Sequence, residues 1–415
     1  MLEKYFSAPK TLGRLRGGPS GPHIDGFAHT LEQDGYSRAS AVRYLRASAH
    51  LGRFLQCNGD TLAQVNSIAL EAFRRHLPRC RCPLSNGGRA NHHVFFGAKR
   101  FHAYLVQTGV CKSDPVLKTP NPEAPLVASF RDWFQRHRGA AEPTLRLYCR
   151  DATDLLHTLG EDLSQWTALR IRTCLLDRAH RCGKSTAEKL ITAMRVFLRY
   201  LSFRGLCRID LDQAVPALAR WRLASLPRCL TAEEVDRLIG AWEGSSRACL
   251  RNRAIILLLV RLGLRAGDGA RLCLSDIEWE SGTLRVSGKG RYQVRLPLPQ
   301  DTGDALLRYL EARPQVGSTD RVFIRSIAPF KASVSGHCIS GVVKRALRRA
   351  GIVTTPKGAH LLRHTAATEM LRQGVPLDQI GLVLRHRSID VTAYYAKVDA
   401  PLLKQVAQPW PEVNS

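Results

Sequence analysis

The chain has 415 residues, 44% of them hydrophobic, which indicates two or three globular domains and excludes a disordered polypeptide. Lys and Arg number 62 against 35 Asp and Glu, so the formal net charge is +27. Because like charges in such excess repel one another, a polyanionic partner is expected, with nucleic acid as the first candidate and an anionic membrane surface as the alternative.

The apolar segments are too short to span a bilayer. The most apolar one, residues 254–264, is about half the length that a membrane helix needs, and Arg261 interrupts it. The N-terminal residues lack an apolar segment followed by a small-residue cleavage site. We therefore expect a cytoplasmic protein with no membrane partner.

An internal repeat relates the first two of three segments. Each of these two segments ends with Phe, Tyr, Leu, Gly and Cys at one fixed offset. The residues are Phe101, Tyr104, Leu105, Gly109 and Cys111 in the first segment and Phe197, Tyr200, Leu201, Gly205 and Cys207 in the second. A repeat of this size indicates one structural unit used twice.

The repeated unit has the hydrophobic spacing of amphipathic helices. Phe130, Trp133, Phe134 and His137 fall at i, i+3, i+4 and i+7, and residues 144–159 and 185–201 contain further stripes of this kind. Each unit is therefore predicted to be a bundle of about four helices. We expect an N-terminal helical module over residues 1–113 and a second helical domain over residues 126–210, followed by a basic linker.

The third segment, residues 228–415, combines helices with a short hairpin. Thr231 is a good helix N-cap, and Glu234 three residues later completes a capping box. Residues 283–287 and 292–298 are predicted strands around the glycine-rich sequence Gly288-Lys289-Gly290, and helices return from Ile339. The predicted fold class is mostly α, with N-terminal helical bundles and a mainly helical domain that contains a small antiparallel β-sheet.

Six side chains of the third segment suit chemistry on a phosphodiester. Arg offers paired planar donors for phosphate oxygens, and His can move a proton near neutral pH. A hairpin Lys could protonate a leaving oxygen, and an activated Tyr can attack phosphorus to form a covalent ester. The six residues are Arg265, Lys289, His360, Arg363, His386 and Tyr395.

The motifs around these residues resemble those of the tyrosine recombinase, or phage integrase, family over about residues 230–398. Leu264-Arg265-Ala266-Gly267-Asp268 is similar to the family's first-arginine box, and Gly288-Lys289-Gly290 to its hairpin lysine. His360-Leu361-Leu362-Arg363-His364 is similar to the His-x-x-Arg box. Leu384-Arg385-His386, followed by Tyr395, has the spacing of the last histidine and the nucleophile.

The resemblance implies a site-specific DNA recombinase, or integrase, that cleaves and rejoins DNA strands through a 3′-phosphotyrosyl intermediate. Tyr395 would be the nucleophile, and Lys289 the general acid for the 5′-hydroxyl. His360 would act as, or assist, the general base. Three residues would hold the scissile phosphate: Arg265, Arg363 and His386. No cofactor and no metal are implied for this chemistry.

The same resemblance carries expectations about partners and domains. Residues 126–210 would be the core-binding domain of a clamp around DNA, and residues 228–415 the catalytic domain. Residues 1–113 could be a duplicated core-binding-like module. Double-stranded recombination sites would be the substrate, and a homotetramer or mixed tetramer would form the synaptic complex. The layout is similar to integrases of bacterial mobile elements.

The chain departs from the family's pattern at two motifs. Arg385 stands where the family has Gly in Leu-Gly-His, and Gly267-Asp268-Gly269 stands where Ser-Glu-Leu is usual. Asp268 can still support Arg265. Arg385 is expected to face solvent and His364 to be a packed support. Tyr394 is adjacent to Tyr395, and the spacing from His386 selects Tyr395 as the nucleophile.

Two other functions and one metal site stay open. A topoisomerase could nick and reseal DNA with the same residues, and a DNA-binding protein could keep the fold without catalysis. The complete set of six residues argues against the second. Separately, four zinc ligands could come from a group whose spacing fits no standard zinc finger. That group is His76, Cys80, Cys82, His92 and His93.

Overall fold

The computed structural model describes residues 1–80, 91–112, 124–207, 210–217, 228–287, 293–314, 319–332, 335–355, 358–386 and 388–396. These residues are mostly helical, as predicted. The chain divides into two compact units, one formed by Met1–Lys112 with Leu223–Ser415 and the other by Ser113–Arg222. Within the described part, no helix has the length and apolar character that crossing a membrane requires.

The first segment folds around a core of aromatic and aliphatic side chains. Phe27, Phe73 and Phe101 are fully buried in it. Ser37 and Asn66 cap two of its helices, each accepting a hydrogen bond from the backbone N–H three residues later in the chain. Its α-helices are α1 (Pro9–Arg16), α2 (Gly21–Gln33), α3 (Arg38–Cys57), α4 (Ser67–His76) and α5 (Asn91–Gln107).

The second segment is the predicted four-helix bundle. Its α-helices are α6 (Pro125–Arg138), α7 (Glu142–Leu159), α8 (Ala168–His180) and α9 (Lys184–Phe203). They correspond in order to α2–α5, and a 3₁₀ turn follows the second helix of each set, at Leu62–Gln64 and Leu163–Gln165. The repeat in the sequence is thus a repeat of secondary structure.

The repeated signature encodes one way of ending a helix. Gly109 and Gly205 have φ angles of +74° and +64°, a left-handed conformation that glycine adopts without steric cost. The N–H of Val110 donates to Leu105, and the N–H of Leu206 donates to Leu201, the six-to-one bond of a Schellman motif. A glycine at the same position of the repeat therefore ends α5 and α9 with the same backbone geometry.

The third segment surrounds one apolar helix with a small sheet and further helices. The capping box predicted at Thr231 and Glu234 is present. Strands β1 (Ile277–Glu278), β2 (Thr283–Ser287) and β3 (Gln293–Pro297) form an antiparallel sheet in that order, with Val286 opposite Val294. The helices are α10 (Ala232–Gly240), α11 (Arg247–Arg261), α12 (Ala266–Arg271), α13 (Gln300–Ala312), α14 (Gly336–Arg349), α15 (Ala359–Arg372), α16 (Leu377–Leu384) and α17 (Ile389–Ala396).

Helix α11 is the centre of this segment. Its residues from Ala254 to Val260 are buried, because α13, α14 and α15 pack against it from several sides. An uninterrupted apolar run suits a helix that is surrounded in this way. The helix ends at Arg261, and the turn at Gly263 leads to Arg265, whose side chain reaches the carbonyl of Arg385 just after α16.

A smaller apolar cluster joins α15, α16 and α17. Ala367, Ile380, Leu384 and Tyr395 form its buried part. Tyr395 is therefore a buried residue of this cluster, with a relative exposure of 3%. Packing of α17 against α15 and α16 sets where the hydroxyl of Tyr395 lies.

Candidate active site

Five of the six residues predicted to be catalytic lie in the described part of the chain. Arg265 precedes α12, His360 and Arg363 are on α15, His386 follows α16, and Tyr395 is on α17. The ends of these helices meet, and their side chains contact one another or one another's backbone. Lys289, the sixth residue, lies outside the described residues.

Arg363 ties two chain segments together at the base of this site. Its side chain is 3% exposed. Nη1 donates to the carbonyl of Gly263 at 2.6 Å, and Nη2 donates to the carbonyl of Leu384. Burial, together with the charges of Arg265 and Arg385, lowers the pKa of Arg363 to about 9, so its guanidinium is still protonated at neutral pH.

Gly263 makes this arrangement possible. Its φ angle is +57°, and a Cβ atom at this position would lie 2.5 Å from the Cδ2 of Leu384. Any other residue would therefore meet both backbone strain and a clash with a core side chain. The tight turn brings the Gly263 carbonyl to Arg363 and places Arg265 two residues further on.

Arg265 keeps part of its guanidinium unpaired. Nη2 donates to the carbonyl of Arg385 at 3.1 Å, whereas Nη1 is buried and has no hydrogen-bond partner among the described residues. The backbone N–H of Arg265 donates to Oδ2 of Asp268 at 3.3 Å, and this acid at N3 supports the start of α12. The predicted support of Arg265 by Asp268 is thus present through the backbone.

Arg385 is buried, and the expectation that it faces solvent is wrong. Its side chain is 5% exposed, and Nη2 donates to Oδ2 of Asp268 at 2.8 Å. Its backbone has φ +56° and ψ +51°, a left-handed conformation that ends α16. This conformation turns the side chain inward beside Arg265. It costs an L-residue about 1–2 kcal/mol.

These arginines together create a buried excess of positive charge. Three guanidinium groups, from Arg265, Arg363 and Arg385, are set against the carboxylate of Asp268. Besides Nη1 of Arg265, the Nε and Nη1 atoms of Arg385 are buried without a partner among the described residues. Each unpaired buried donor costs about 1–3 kcal/mol. A tetrahedral oxyanion such as phosphate would supply acceptors for all of them.

Tyr395 lies beside two histidines, and a third adjoins one of them. Its hydroxyl is 2.9 Å from Nδ1 of His364, and its ring stacks on that of His386 with 6.1 Å between centroids and 8° between planes. The ring of His360 lies 6.0 Å from that of His364, one helical turn away. Burial raises the pKa of the Tyr395 hydroxyl, so the phenol holds its proton until a base takes it.

The imidazoles of this group are neutral at physiological pH. Burial is the main cause that lowers the pKa of His364 and of His386 to about 4, followed by the charge of His360 for His364 and by that of Arg363 for His386. Burial and then the charge of Arg363 also lower the pKa of His360. Nδ1 of His386 also hydrogen-bonds Oγ1 of the buried Thr392 at 2.8 Å, which orients its ring. A neutral imidazole can accept a proton from the tyrosine.

Comparison with known proteins identifies this arrangement. Residues 228–401 match the phage integrase family. A Sinorhizobium fredii protein that carries the name integrase/recombinase y4rA is 35% identical over 98% of this chain and 99% of its own length. Tyrosine recombinase XerD of Xanthomonas axonopodis is 32% identical over 66% of this chain and 93% of its own.

The chain belongs to the phage integrase family of tyrosine recombinases. It is a DNA-cleaving and DNA-rejoining enzyme of site-specific recombination, whose chemistry proceeds through a 3′-phosphotyrosyl intermediate. The fold agrees with this: a structure of the recombinase XerH bound to palindromic difH substrate has a TM-score of 0.55, with 17% identity, 83% coverage of this chain and 95% of that chain.

The structure adds two side chains to the recombinase site that sequence reasoning did not place there. His364, expected to be a packed support, directly contacts the Tyr395 hydroxyl. Arg385 adds a third guanidinium next to Asp268. Both residues are next to predicted motif residues in the sequence. The direction in which their side chains point, however, depends on helix packing and, for Arg385, on its left-handed backbone. The left-handed φ of Arg385 also explains why glycine is usual at this position of the family's motif.

Proposed function

We propose that this recombinase cleaves duplex DNA by attack of Tyr395 Oη on the phosphorus of a scissile phosphate. The observation that carries the assignment is the buried group of arginine donors without partners among the described residues, next to Tyr395. Those unpartnered donors belong to Arg265 and Arg385, so Arg265 would hold a non-bridging oxygen through its Nη1. Arg363, whose Nη atoms also donate to backbone carbonyls, and His386 are assigned as further phosphate contacts on the sequence motifs. These donors act most strongly on the pentacoordinate transition state, where negative charge on the oxygens is greatest.

The bond changes of this step are simple. A bond forms between Tyr395 Oη and phosphorus, and the bond from phosphorus to the 5′-oxygen breaks. The tyrosine proton passes to a base, and the departing 5′-oxygen takes a proton from an acid. Attack by that 5′-hydroxyl in the reverse sense rejoins the strand. We assign the acid to Lys289, on the sequence motif alone.

We assign His364 as the first acceptor of the tyrosine proton. The distance of 2.9 Å between its Nδ1 and the Tyr395 hydroxyl is that of a hydrogen bond. In the tautomer that carries its proton on Nε2, the neutral imidazole of His364 accepts the phenolic hydrogen at Nδ1. His360, the base that the sequence motif implies, lies one helical turn away. Its place beside Arg363 suits a contact with phosphate or assistance to His364.

We assign Arg385 as a further contact to the phosphate. Arg385→Gly relieves the left-handed strain but also breaks the buried ion pair with Asp268, so it should lower the free energy of unfolding by about 2 kcal/mol. The same change should slow adduct formation by about tenfold or more, since one transition-state donor is removed. Chemical denaturation and single-turnover cleavage measure the two effects on one preparation.

Arg271→Ala is the matched control for Arg385→Gly. Arg271 also pairs with Asp268, at 3.2 Å, but its side chain is 60% exposed. Cleavage by this variant should stay near the wild-type rate. Wild-type cleavage by Arg385→Gly would assign Arg385 to structure alone.

The proposed substrate is a pair of duplex recombination sites, held by a homotetramer or mixed tetramer. Support comes from the net charge of +27 and from the XerH structure, which contains that protein bound to its difH substrate. Residues 126–210 would be the core-binding domain and residues 1–113 a further DNA-binding or assembly module.

A recombinase must be in the same compartment as the mobile-element DNA that it cuts. We therefore propose the cytoplasm as the location of this enzyme.

A nicked suicide duplex tests the proposed function. Cleavage next to the nick releases a short oligonucleotide that diffuses away, so the phosphotyrosyl enzyme cannot rejoin the strand and accumulates. We expect a denaturation-resistant protein–DNA adduct, with the DNA attached to the peptide that contains Tyr395. His364→Gln should form the same adduct more slowly. Absence of any adduct on DNA that the protein binds specifically would contradict cleavage by this chain.

A further inference from the structure

Two histidines and one cysteine converge in the first segment, remote in sequence from the catalytic residues. His50 lies within α3, His76 is the last residue of α4, and Cys80 follows the 3₁₀ turn Leu77–Arg79. One ligand atom from each side chain lies within 4.8 Å of the other two. Nε2 of His50 and Sγ of Cys80 are 3.3 Å apart.

These separations suit metal coordination. A tetrahedral zinc site with bonds of about 2.0–2.3 Å holds its ligand atoms about 3.3–3.8 Å apart. The pair formed by His50 and Cys80 is already at that separation, and small side-chain rotations would bring His76 to it. Two imidazole nitrogens and a thiolate are also the donor types that zinc prefers.

The surroundings of the cluster would strengthen metal binding. His50 is 4% exposed, and its ring meets that of Phe73 edge-on at 5.1 Å. The ring of Phe54 lies 5.0 Å from that of His76. An apolar shell of this kind limits access of water to a metal and fixes the orientation of its ligands.

The structure revises the zinc hypothesis drawn from the sequence. His76 and Cys80 are brought together as that hypothesis required, but their third partner is His50, from the preceding helix. His92 and His93 pair with each other on α5, with ring centroids 5.3 Å apart, and are not part of the cluster. Cys82 lies outside the described residues.

We propose that His50, His76 and Cys80 bind a transition-metal ion, with Zn²⁺ as the preferred one. The ion would join the middle of α3 to the end of α4. On binding, the Cys80 thiol gives its proton to solvent and both imidazoles bind as neutral ligands, so no redox partner is needed. One coordination position is left for a further ligand. The site is structural for the first segment and independent of the recombination chemistry.

Metal analysis of the full-length protein without a polyhistidine tag tests the proposal. We expect one zinc per chain after purification without chelator. Replacement by Co²⁺ should give the near-ultraviolet thiolate-to-cobalt charge-transfer band together with the visible bands of tetrahedral cobalt. Because this spectrum reports coordination in the wild-type chain, it stays informative if a variant fails to fold.

Matched variants separate the cluster from other thiols and histidines. Cys80→Ser and His76→Ala should lower zinc affinity by about 100-fold or more and abolish or shift the cobalt bands. Two control variants should leave the zinc affinity and the cobalt bands unchanged: Cys57→Ser, at an exposed thiol of the same segment, and His92→Ala. A chelator should lower the thermal unfolding midpoint of the wild-type protein and have little effect on Cys80→Ser.

The proposal fails if the folded wild-type chain shows no thiolate-to-cobalt band. It also fails if Cys57→Ser or His92→Ala loses as much zinc as Cys80→Ser does. Adduct formation on the suicide duplex is scored separately, because the catalytic residues lie in another segment. A result that contradicts the metal site can thus be distinguished from one that contradicts DNA cleavage by Tyr395.

Discussion

Tyr395→Phe should form no covalent adduct with DNA, while its binding to DNA changes little. The substitution removes one oxygen atom, and that oxygen is the group that attacks phosphorus. The ring is 3% exposed and packs with Ile380 and Leu384, so Phe can fill the same space. The substitution also removes the hydrogen bond to His364, and a hydrogen bond of this kind contributes about 0.5–1.5 kcal/mol to stability.

Tyr394→Phe is the matched control, and it should still form the adduct. The two tyrosines are consecutive on α17, where one residue turns a side chain by about 100°. The structure places the Tyr395 hydroxyl on Nδ1 of His364, and the ring of Tyr395 on that of His386. Suicide-substrate trapping measures adduct formation, and gel-shift titration measures DNA binding. An adduct that persists in Tyr395→Phe and disappears in Tyr394→Phe would reassign the nucleophile.

Arg265→Ala should slow cleavage by about 100- to 1,000-fold, with a small effect on folding. The guanidinium that this change removes donates one hydrogen bond to the Arg385 carbonyl and holds a buried donor without a partner among the described residues. Its contribution is therefore mainly to the transition state, where a donor of this kind is worth about 2.7–4 kcal/mol. Single-turnover cleavage at saturating protein, compared with binding affinity, measures the effect.

Arg363 differs from Arg265 although both belong to the predicted phosphate site. Arg363→Ala leaves the carbonyls of Gly263 and Leu384 without these two donors, so it should also lower the free energy of unfolding by about 2 kcal/mol or more. Because Arg265→Ala should keep near wild-type stability, it tests the catalytic role more directly than Arg363→Ala does. Cleavage near the wild-type rate in Arg265→Ala would place the phosphate elsewhere.

Local patterns were sufficient to predict most of the fold. The hydrophobic spacing of α6, the capping box at Thr231 and the hairpin formed by β2 and β3 depend on residues a few positions apart. Short-range geometry decides such elements, so their signals are visible in the sequence. The motif residues Arg265, Arg363 and Tyr395 could likewise be chosen, because their order and spacing along the chain resemble a known pattern.

Tertiary packing decided the contacts that define the site. Asp268 and Arg385 are 117 residues apart and pair because α12 meets the end of α16. His364 reaches Tyr395 across 31 residues, and His50 reaches Cys80 across 30. No periodicity or motif encodes such pairs, since each depends on which faces of two helices bury against each other. A side chain's burial and its partner therefore follow from the packed fold, whereas its chemical type is already given by the sequence.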